Sequence, residues 1–113
     1  MMLDTVTDVL DSLDIPYAFD TFAPGKPPEP PYAVIFDETE YDGSDFTVGY
    51  LMHDTTVYLF DTGSRSLRMA LSNAFAAANV KHTKYSTNYI YDRKLFSTEY
   101  DIAEYPEKWS EEE

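Results

Sequence analysis

The sequence predicts an α+β fold: a mixed, mainly antiparallel sheet of about five or six strands with two helices packed on it. Two segments carry apolar residues at helical spacing, and about six shorter runs are rich in β-branched and aromatic residues. The chain has 113 residues, of which 43% are hydrophobic, which suits one domain. We expect that domain to cover residues 1–106, with residues 107–113 forming an acidic, flexible tail.

The first predicted helix begins near the N-terminus. Its apolar residues recur every three or four positions, at Leu3, Val6, Val9, Leu10 and Leu13. Asp4 or Thr5 can cap its start, and Pro16 is expected to end it. Residues 16–22 are aromatic and loosely alternating, which predicts a short strand.

Proline separates this strand from the next. Residues 23–31 hold five prolines, so we expect an extended connector. Residues 32–36 form the most hydrophobic run, which predicts a central strand buried on both faces. Residues 37–45 are rich in acids, which predicts an exposed loop or hairpin tip.

The middle of the chain predicts a hairpin followed by a helix. Residues 46–52 and 55–60 have strand character, with His53 and Asp54 between them as the turn. Apolar spacing then becomes helical at Leu67, Ala70, Leu71, Ala74, Phe75 and Ala78. Thr62 or Ser64 is the expected N-cap, and Asn79 can close the C-terminus. The opposite face is weakly charged, with Arg65, Arg68, Ser72, Asn73, Ala76 and Ala77.

A second hairpin is expected near the C-terminus. Residues 82–91 and 95–105 both alternate with strand-forming residues, and Asp92, Arg93 and Lys94 lie between them as a turn.

Composition excludes several classes of function. The absence of cysteine removes disulfides, cysteine zinc sites and thiol catalysis. A net charge of −13 disfavours binding that neutralises nucleic-acid phosphates. The acids can serve as a solubilising surface, as a mimic of DNA, or as the wall of a channel that must not hold DNA.

No pattern of residues points to catalysis. His53 and His82 are the two histidines, and neither has a partner at metal-ligand spacing. Residues 37–45 lack the carboxylate order of a calcium loop, so the solvated-loop interpretation is preferred. We expect no enzymatic activity, no cofactor and no metal, which leaves a small regulatory enzyme as the least favoured option.

The N-terminal segment differs from a secretory signal because aspartates recur at 4, 8, 11 and 14. No stretch approaches the roughly 18 apolar residues of a membrane span. The expected place of action is the cytosol, or a particle assembled there.

Several short motifs occur in a familiar order. They are Pro16–Phe19, Pro30–Phe36, Ser44–Asp45, Val57–Thr62, Tyr89–Tyr91 and Leu95–Ile102. In this order the chain, over roughly residues 9–104, resembles the small tail-terminator and head–tail joining (tail completion) proteins of long-tailed bacteriophages and prophages. It departs from that pattern at Phe46, which replaces a polar residue, and in the acidity of the preceding loop.

The resemblance implies a structural subunit that forms a ring, typically a hexamer, at the head–tail junction of the virion, after assembly in the host cytoplasm. Its partners would be copies of itself, the tail-tube protein and the head connector, while DNA passes through without specific binding. Candidate interaction residues are Tyr41, Asp42, Asp45, Arg65, Arg68 and Arg93. The alternative function is a monomeric acidic DNA mimic that inhibits a DNA-binding protein.

Overall fold

The computed structural model describes residues 2–22, 27–42 and 48–110, and only the backbone at 41, 42, 48–51 and 106–110. The described elements are α1 (Met2–Ser12), β1 (Tyr17–Phe19), β2 (Tyr32–Asp42), β3 (Val48–Asp61), α2 (Arg65–Ala77), β4 (His82–Lys84), β5 (Asn88–Ile90), β6 (Leu95–Ile102) and β7 (Tyr105–Ser110). Two helices and one sheet confirm the predicted α+β class.

The sheet is mixed and mainly antiparallel, as predicted. Its path runs β1-β2-β3-β6-β4, and only the β1–β2 pair is parallel. Strand β3 is long enough to take two partners on one edge, β7 along its first half and β6 along its second. Strands β4 and β5 both pair with the other edge of β6. Among the described strands, the sheet is therefore five strands wide at the level of Ile35 and Val57, and three strands wide along the first half of β3.

Both helices pack on one face of this sheet. The largest fully buried apolar side chains in the core come from every layer, with Leu10 from α1, Leu71 and Phe75 from α2, and Ile35, Leu59 and Tyr100 from the strands. Burying one such side chain contributes about 1.5–3 kcal/mol. The helical spacing in the sequence therefore identified the side chains that hold the two layers together.

Helix α1 is displaced toward the N-terminus relative to the prediction. It starts at Met2 and ends at Ser12, before Pro16. Asp14 adopts a left-handed conformation with φ 56°, and the Ile15 amide donates to the Leu10 carbonyl at 3.0 Å. This is the geometry of a Schellman C-cap, which ends the helix without help from the proline.

Helix α2 begins and ends as the sequence predicts. Ser64 is the N-cap, and its hydroxyl accepts a hydrogen bond from the Leu67 amide at 3.2 Å. Asn79 has φ 60°, and the Val80 amide donates to the Phe75 carbonyl at 2.8 Å. Asn tolerates the left-handed conformation better than most residues, which explains its use at this position.

The predicted hairpin around His53 and Asp54 was wrong. Both residues lie inside the continuous strand β3, where His53 faces the helices at 4% exposure and Asp54 faces outward. The hairpin instead joins β2 to β3, because β2 continues to Asp42 through the segment predicted as a loop. Residues 32–36 were predicted to be central and buried on both faces, and neither holds, since Phe36 is 41% exposed and β3, not β2, lies in the middle of the described strand order.

The C-terminal region differs in two respects. Residues 82–91 form two short strands with a break between them, although the turn before β6 is confirmed, with Lys94 at φ 54°. Residues 107–110 belong to β7 and pair with β3, so the predicted tail does not begin at 107. Residues 111–113 lie outside the described part of the chain. Strand β3 extends past the end of β6, and β7 supplies the backbone partners that this extension lacks.

Candidate interaction surface

The sheet face opposite the helices carries a block of aromatic and acidic side chains. Because directly paired residues share a face, the register defines rows across β2, β3 and β6. We call them the open-face rows: Val34–Tyr58–Glu99, Phe36–Thr56–Asp101 and Glu38–Asp54. Within the described residues, no helix packs against these rows.

The aromatic members of the open face contact one another. Phe36 and Tyr58 form an edge-to-face pair with ring centroids 5.6 Å apart. Next to the rows, Tyr32 stacks on Phe60 at 5.1 Å, and Phe22 covers Tyr32 edge-to-face at 5.5 Å. Tyr32 is therefore buried at 4% exposure, whereas Phe36 stays 41% exposed. The connector side of the face is covered, and the Phe36 side is open.

Carboxylates occupy the open end of the same face. Glu38 and Asp54 are directly opposite each other on β2 and β3 and are both exposed. Glu99 and Asp101 follow on β6, and the Thr56 hydroxyl donates to Asp101 at 3.3 Å. Like charges placed directly across a strand pair destabilise a sheet. Folding stability therefore does not explain the Glu38–Asp54 pair.

The pKa of Tyr58 is sensitive to the carboxylates of Glu99 and Asp101. Burial raises the pKa of the Tyr58 phenol, and the negative charges of Glu99 and Asp101 raise it further. A hydrogen bond to Glu99 acts in the same direction. The centre of the open face is thus negative enough to disfavour a further negative charge.

In the part of the chain that the structure describes, the outer edge of β2 has no strand partner beyond Ile35. Strand β1 pairs only with residues 33–35, and no other described strand lies on that side of β2. Residues 36–42 therefore present backbone donors and acceptors along about 23 Å of strand. The edge carries Glu38 and Glu40, and acidic residues on an edge discourage indiscriminate pairing.

The opposite edge of the sheet is basic. Strands β4 and β5 pair with β6 alone among the described strands. Lys81 and Lys84 lie beside or in β4 at this edge, Lys94 is in the turn between β5 and β6, and Arg93 of the same turn lines a hollow with Tyr32 and Val34 of β2. Of these four basic residues, all except Lys84 are exposed. One edge of the sheet is therefore negative and the other positive.

Arg68 is not a surface residue, contrary to its predicted place on the outer face of α2. Its guanidinium forms a two-pronged ion pair with Asp61, with Nε to Oδ2 at 2.9 Å and Nη2 to Oδ1 at 2.8 Å. The two side chains are only 10% and 2% exposed. The guanidinium also lies 4.8 Å from the centre of the Phe96 ring. Arg68 belongs to the core, and its interaction role is withdrawn.

Asp61 also holds the start of α2. Its Oδ1 accepts from the amides of Gly63 at 2.7 Å and Ser64 at 2.8 Å. Burial by itself would raise the pKa of Asp61, but the hydrogen bonds from Arg68, Ser64 and Gly63 outweigh it and hold the pKa below its usual value. The carboxylate therefore stays ionised inside the fold.

The other predicted interaction residues are scattered. Arg65 is exposed on α2, and Arg93 is exposed in the turn before β6. Tyr41 and Asp42 lie at the end of β2, where the structure describes only the backbone, and Asp45 lies outside the described residues. Sequence reasoning missed Phe36, Tyr58, Glu38, Asp54, Glu99 and Asp101. Burial alternates along β3 without a break from His53 to Asp61, but the residue types do not show it, because polar His53 and Thr55 face inward and Tyr58 and Phe60 face outward.

The two histidines make structural contacts. His53 Nδ1 lies 2.8 Å from Asp37 Oδ2, and its ring stacks on Tyr105 at 4.7 Å. His82 connects helix α2 to the sheet, because its Nε2 lies 2.7 Å from the Ser72 hydroxyl and its Nδ1 lies 3.0 Å from the Val80 carbonyl. The described residues contain no cluster of three or more side chains able to hold a metal ion.

None of the described helices is both long and apolar enough to cross a membrane. Comparison with models of known protein families and with curated proteins finds no match to this chain.

Proposed function

We propose that this protein is a structural subunit of a tailed-phage virion, a tail terminator or head–tail joining protein that assembles into a ring at the head–tail interface. The observation that carries the proposal is a single sheet with two open edges of opposite charge. The resemblance to tail-completion proteins supports it from the order of the sequence motifs. No enzymatic activity is part of the proposal.

Opposite edges of opposite charge favour contact between unlike surfaces of two copies. The acidic edge of β2 would meet the basic β4–β5 edge of the next copy, adding backbone hydrogen bonds between strands to charge complementarity. Such a head-to-tail contact produces a closed ring or an open helix, depending on the rotation between neighbours. Two acidic edges, by contrast, would repel each other.

The charge of the chain suits a ring through which DNA passes. Twenty-one acidic residues against eight basic ones repel phosphates, so DNA would move without specific binding. The tail tube and the head connector are the proposed neighbours above and below the ring.

The proposal is tested by measuring mass with and without the tail-tube protein encoded alongside this chain. Sedimentation velocity should show a species near the mass of a closed ring, about 78 kDa for a hexamer of this 13.0 kDa chain. The mixed sample is the decisive one, because a tail terminator can stay monomeric until it meets the tail. A chain that remains monomeric in that mixture would sink the ring proposal.

Charge reversal identifies the edges. Glu40→Lys on the acidic edge and Lys81→Glu on the basic edge should each weaken assembly, and the double variant should restore part of it. Asp8→Lys, at an exposed position of α1, makes the same change of charge as Glu40→Lys and is a matched control that should leave assembly unchanged. If the double variant assembles no better than either single variant, the two edges do not meet.

A monomeric DNA mimic is the second candidate. It is favoured by the open-face carboxylates, since Glu38 and Glu40 on β2, and Glu99 and Asp101 on β6, each lie two residues apart, about 6.6 Å along a strand. This candidate requires a stable monomer that competes with DNA for a DNA-binding protein. Competition by the monomer, with no assembly in the mixed sample, would favour the mimic over the ring.

A further inference from the structure

We propose that the open-face rows form a docking site for an arginine-bearing segment of another protein. The site is the part of the sheet centred on Phe36 and Tyr58, with Glu38, Asp54, Glu99 and Asp101 around them. It shares Phe36 and Glu38 with the β2 edge assigned to self-assembly, but it uses their side chains on the sheet face, whereas self-assembly uses the backbone of the edge.

The composition of the face identifies the chemistry of its occupant. None of the positions in the open-face rows is a lysine or arginine, so its carboxylates have no basic partner across the strands. An aromatic pair with carboxylates along two of its sides can stack a guanidinium on its rings and accept its N–H groups on the acids. A lysine ammonium can use the acids but lacks the planar group that stacks.

Other occupants fit this face less well. A second copy would bring the same carboxylates against themselves, at a cost that the aromatic contacts would have to exceed. Nucleic acid is repelled by the same charges. A channel wall needs acids but has no use for a half-exposed Phe36, whereas aromatic side chains are enriched where proteins meet.

The like-charged pair gives an independent reason to assign a function here. Glu38 and Asp54 face each other at a position where an opposite charge or a threonine would favour the fold. A basic side chain placed between them would relieve the repulsion. The face should therefore be less stable alone than when it is occupied.

Binding is measured by fluorescence anisotropy with a labelled peptide of alternating arginine and serine, and with the matched lysine and serine peptide. We expect the arginine peptide to bind at least about threefold more tightly, with the affinity falling as salt is raised. Phe36→Leu should remove most of this difference. Because Phe36 is half exposed, that variant should keep the wild-type circular dichroism.

Asp54→Asn gives the sharper readout, because it should change binding and stability in opposite directions. Peptide affinity should fall by about threefold, while the melting temperature should rise by about 2 °C as the repulsion is lost. Asp8→Asn on α1 makes the same change in net charge at an exposed site away from the sheet. It should leave affinity within about twofold of wild type.

Three results would overturn the proposal. One is equal binding of the arginine and lysine peptides, and another is equal weakening by Asp8→Asn and Asp54→Asn, since both indicate diffuse charge attraction. The third is a self-association that Phe36→Leu abolishes, which would make a second copy the occupant. The strand edges are tested separately by Glu40→Lys and Lys81→Glu, which leave Phe36 and Asp54 unchanged.

Discussion

Replacing Asp61 with asparagine should be among the most damaging single changes of charge in the fold. The Asp61 side chain is 2% exposed, and its carboxylate accepts four hydrogen bonds, two from amides at the start of α2 and two from Arg68. Asparagine keeps one oxygen for the two amides but turns a donor group toward the guanidinium. Breaking a buried ion pair costs about 3–5 kcal/mol, and the retained oxygen places this variant near 3.

That loss is large beside the whole stability of such a domain, about 5–15 kcal/mol. The melting temperature should fall by about 12 °C, and the urea midpoint should fall with no change in slope. The control is Arg65→Met, which changes an exposed residue of α2 one turn before Arg68. It should change the free energy of unfolding by less than about 0.5 kcal/mol. A loss below about 1 kcal/mol for Asp61→Asn would refute the reasoning.

Two further measurements separate the ion pair from simple loss of packing. Combining Asp61→Asn with Arg68→Met should cost less than the sum of the single changes, because the methionine leaves no buried guanidinium unpaired. Acid titration gives the second. The folded pKa of Asp61 lies below its unfolded value of about 3.9, so its contribution is complete above that pH and is lost as the pH falls through the folded pKa. The asparagine variant should lack this acid-dependent component.

Two other predictions concern the sheet. Deleting residues 107–113 should lower the free energy of unfolding by about 1–2 kcal/mol, because part of the β7 ladder on β3 is lost; an unchanged urea midpoint would mean that β7 contributes no stability. Tyr100→Phe should cost about 1 kcal/mol at neutral pH, because the buried phenol donates to the Arg68 carbonyl at 2.7 Å. Burial raises the pKa of the Tyr100 phenol, and the charge of Asp61 raises it further. The contribution of Tyr100 to the free energy of unfolding is therefore complete below the unfolded pKa of about 10, and it is lost as the pH rises through the higher pKa of the folded state. The phenylalanine variant should lack that alkaline loss in a melting series.

The parts of the fold that were predictable from sequence depend on local physics. Ser64 caps α2 and Asn79 ends it because a hydroxyl acceptor and a tolerated left-handed conformation act within a few residues. The buried faces of both helices follow from the spacing of their apolar residues. The turn before β6 follows from three consecutive polar residues, Asp92, Arg93 and Lys94.

The largest errors concern residues whose environment is set by distant parts of the chain. His53 looked like a turn residue, but Asp37 and Tyr105, which are far away in sequence, give it hydrogen bonding and stacking inside the sheet. Arg68 was predicted to lie on the surface, but its ion pair with Asp61 holds it in the core. Residues 107–110 looked like a tail because the unpaired edge of β3, on which they lie, is not visible in the sequence.

The misplaced turn also concealed the candidate site. With His53 and Asp54 in a loop, Glu38 has no cross-strand neighbour and the acids between 37 and 45 form only a solvated segment. With both residues inside β3, Glu38 faces Asp54, and the alternate residues Thr56 and Tyr58 continue the same face.

The acidic residues of this protein therefore have different expected roles, which depend on where each one lies in the fold. Those on α1 lie on an exposed helix surface, where they contribute to solubility. Glu40 lies on the outer side of β2, where in the proposed assembly its charge would favour a basic edge over an acidic one. Asp54 lies inside β3, opposite Glu38 and on the same face as the exposed Phe36. Solubility alone does not explain an acid at this position. Neutralising each in turn, at Asp8, Glu40 and Asp54, changes net charge equally. We expect neutralising Asp8 to change neither assembly nor peptide binding, neutralising Glu40 to change assembly, and neutralising Asp54 to change peptide binding. That outcome would show that the position of each charge, and not the total charge, carries the function.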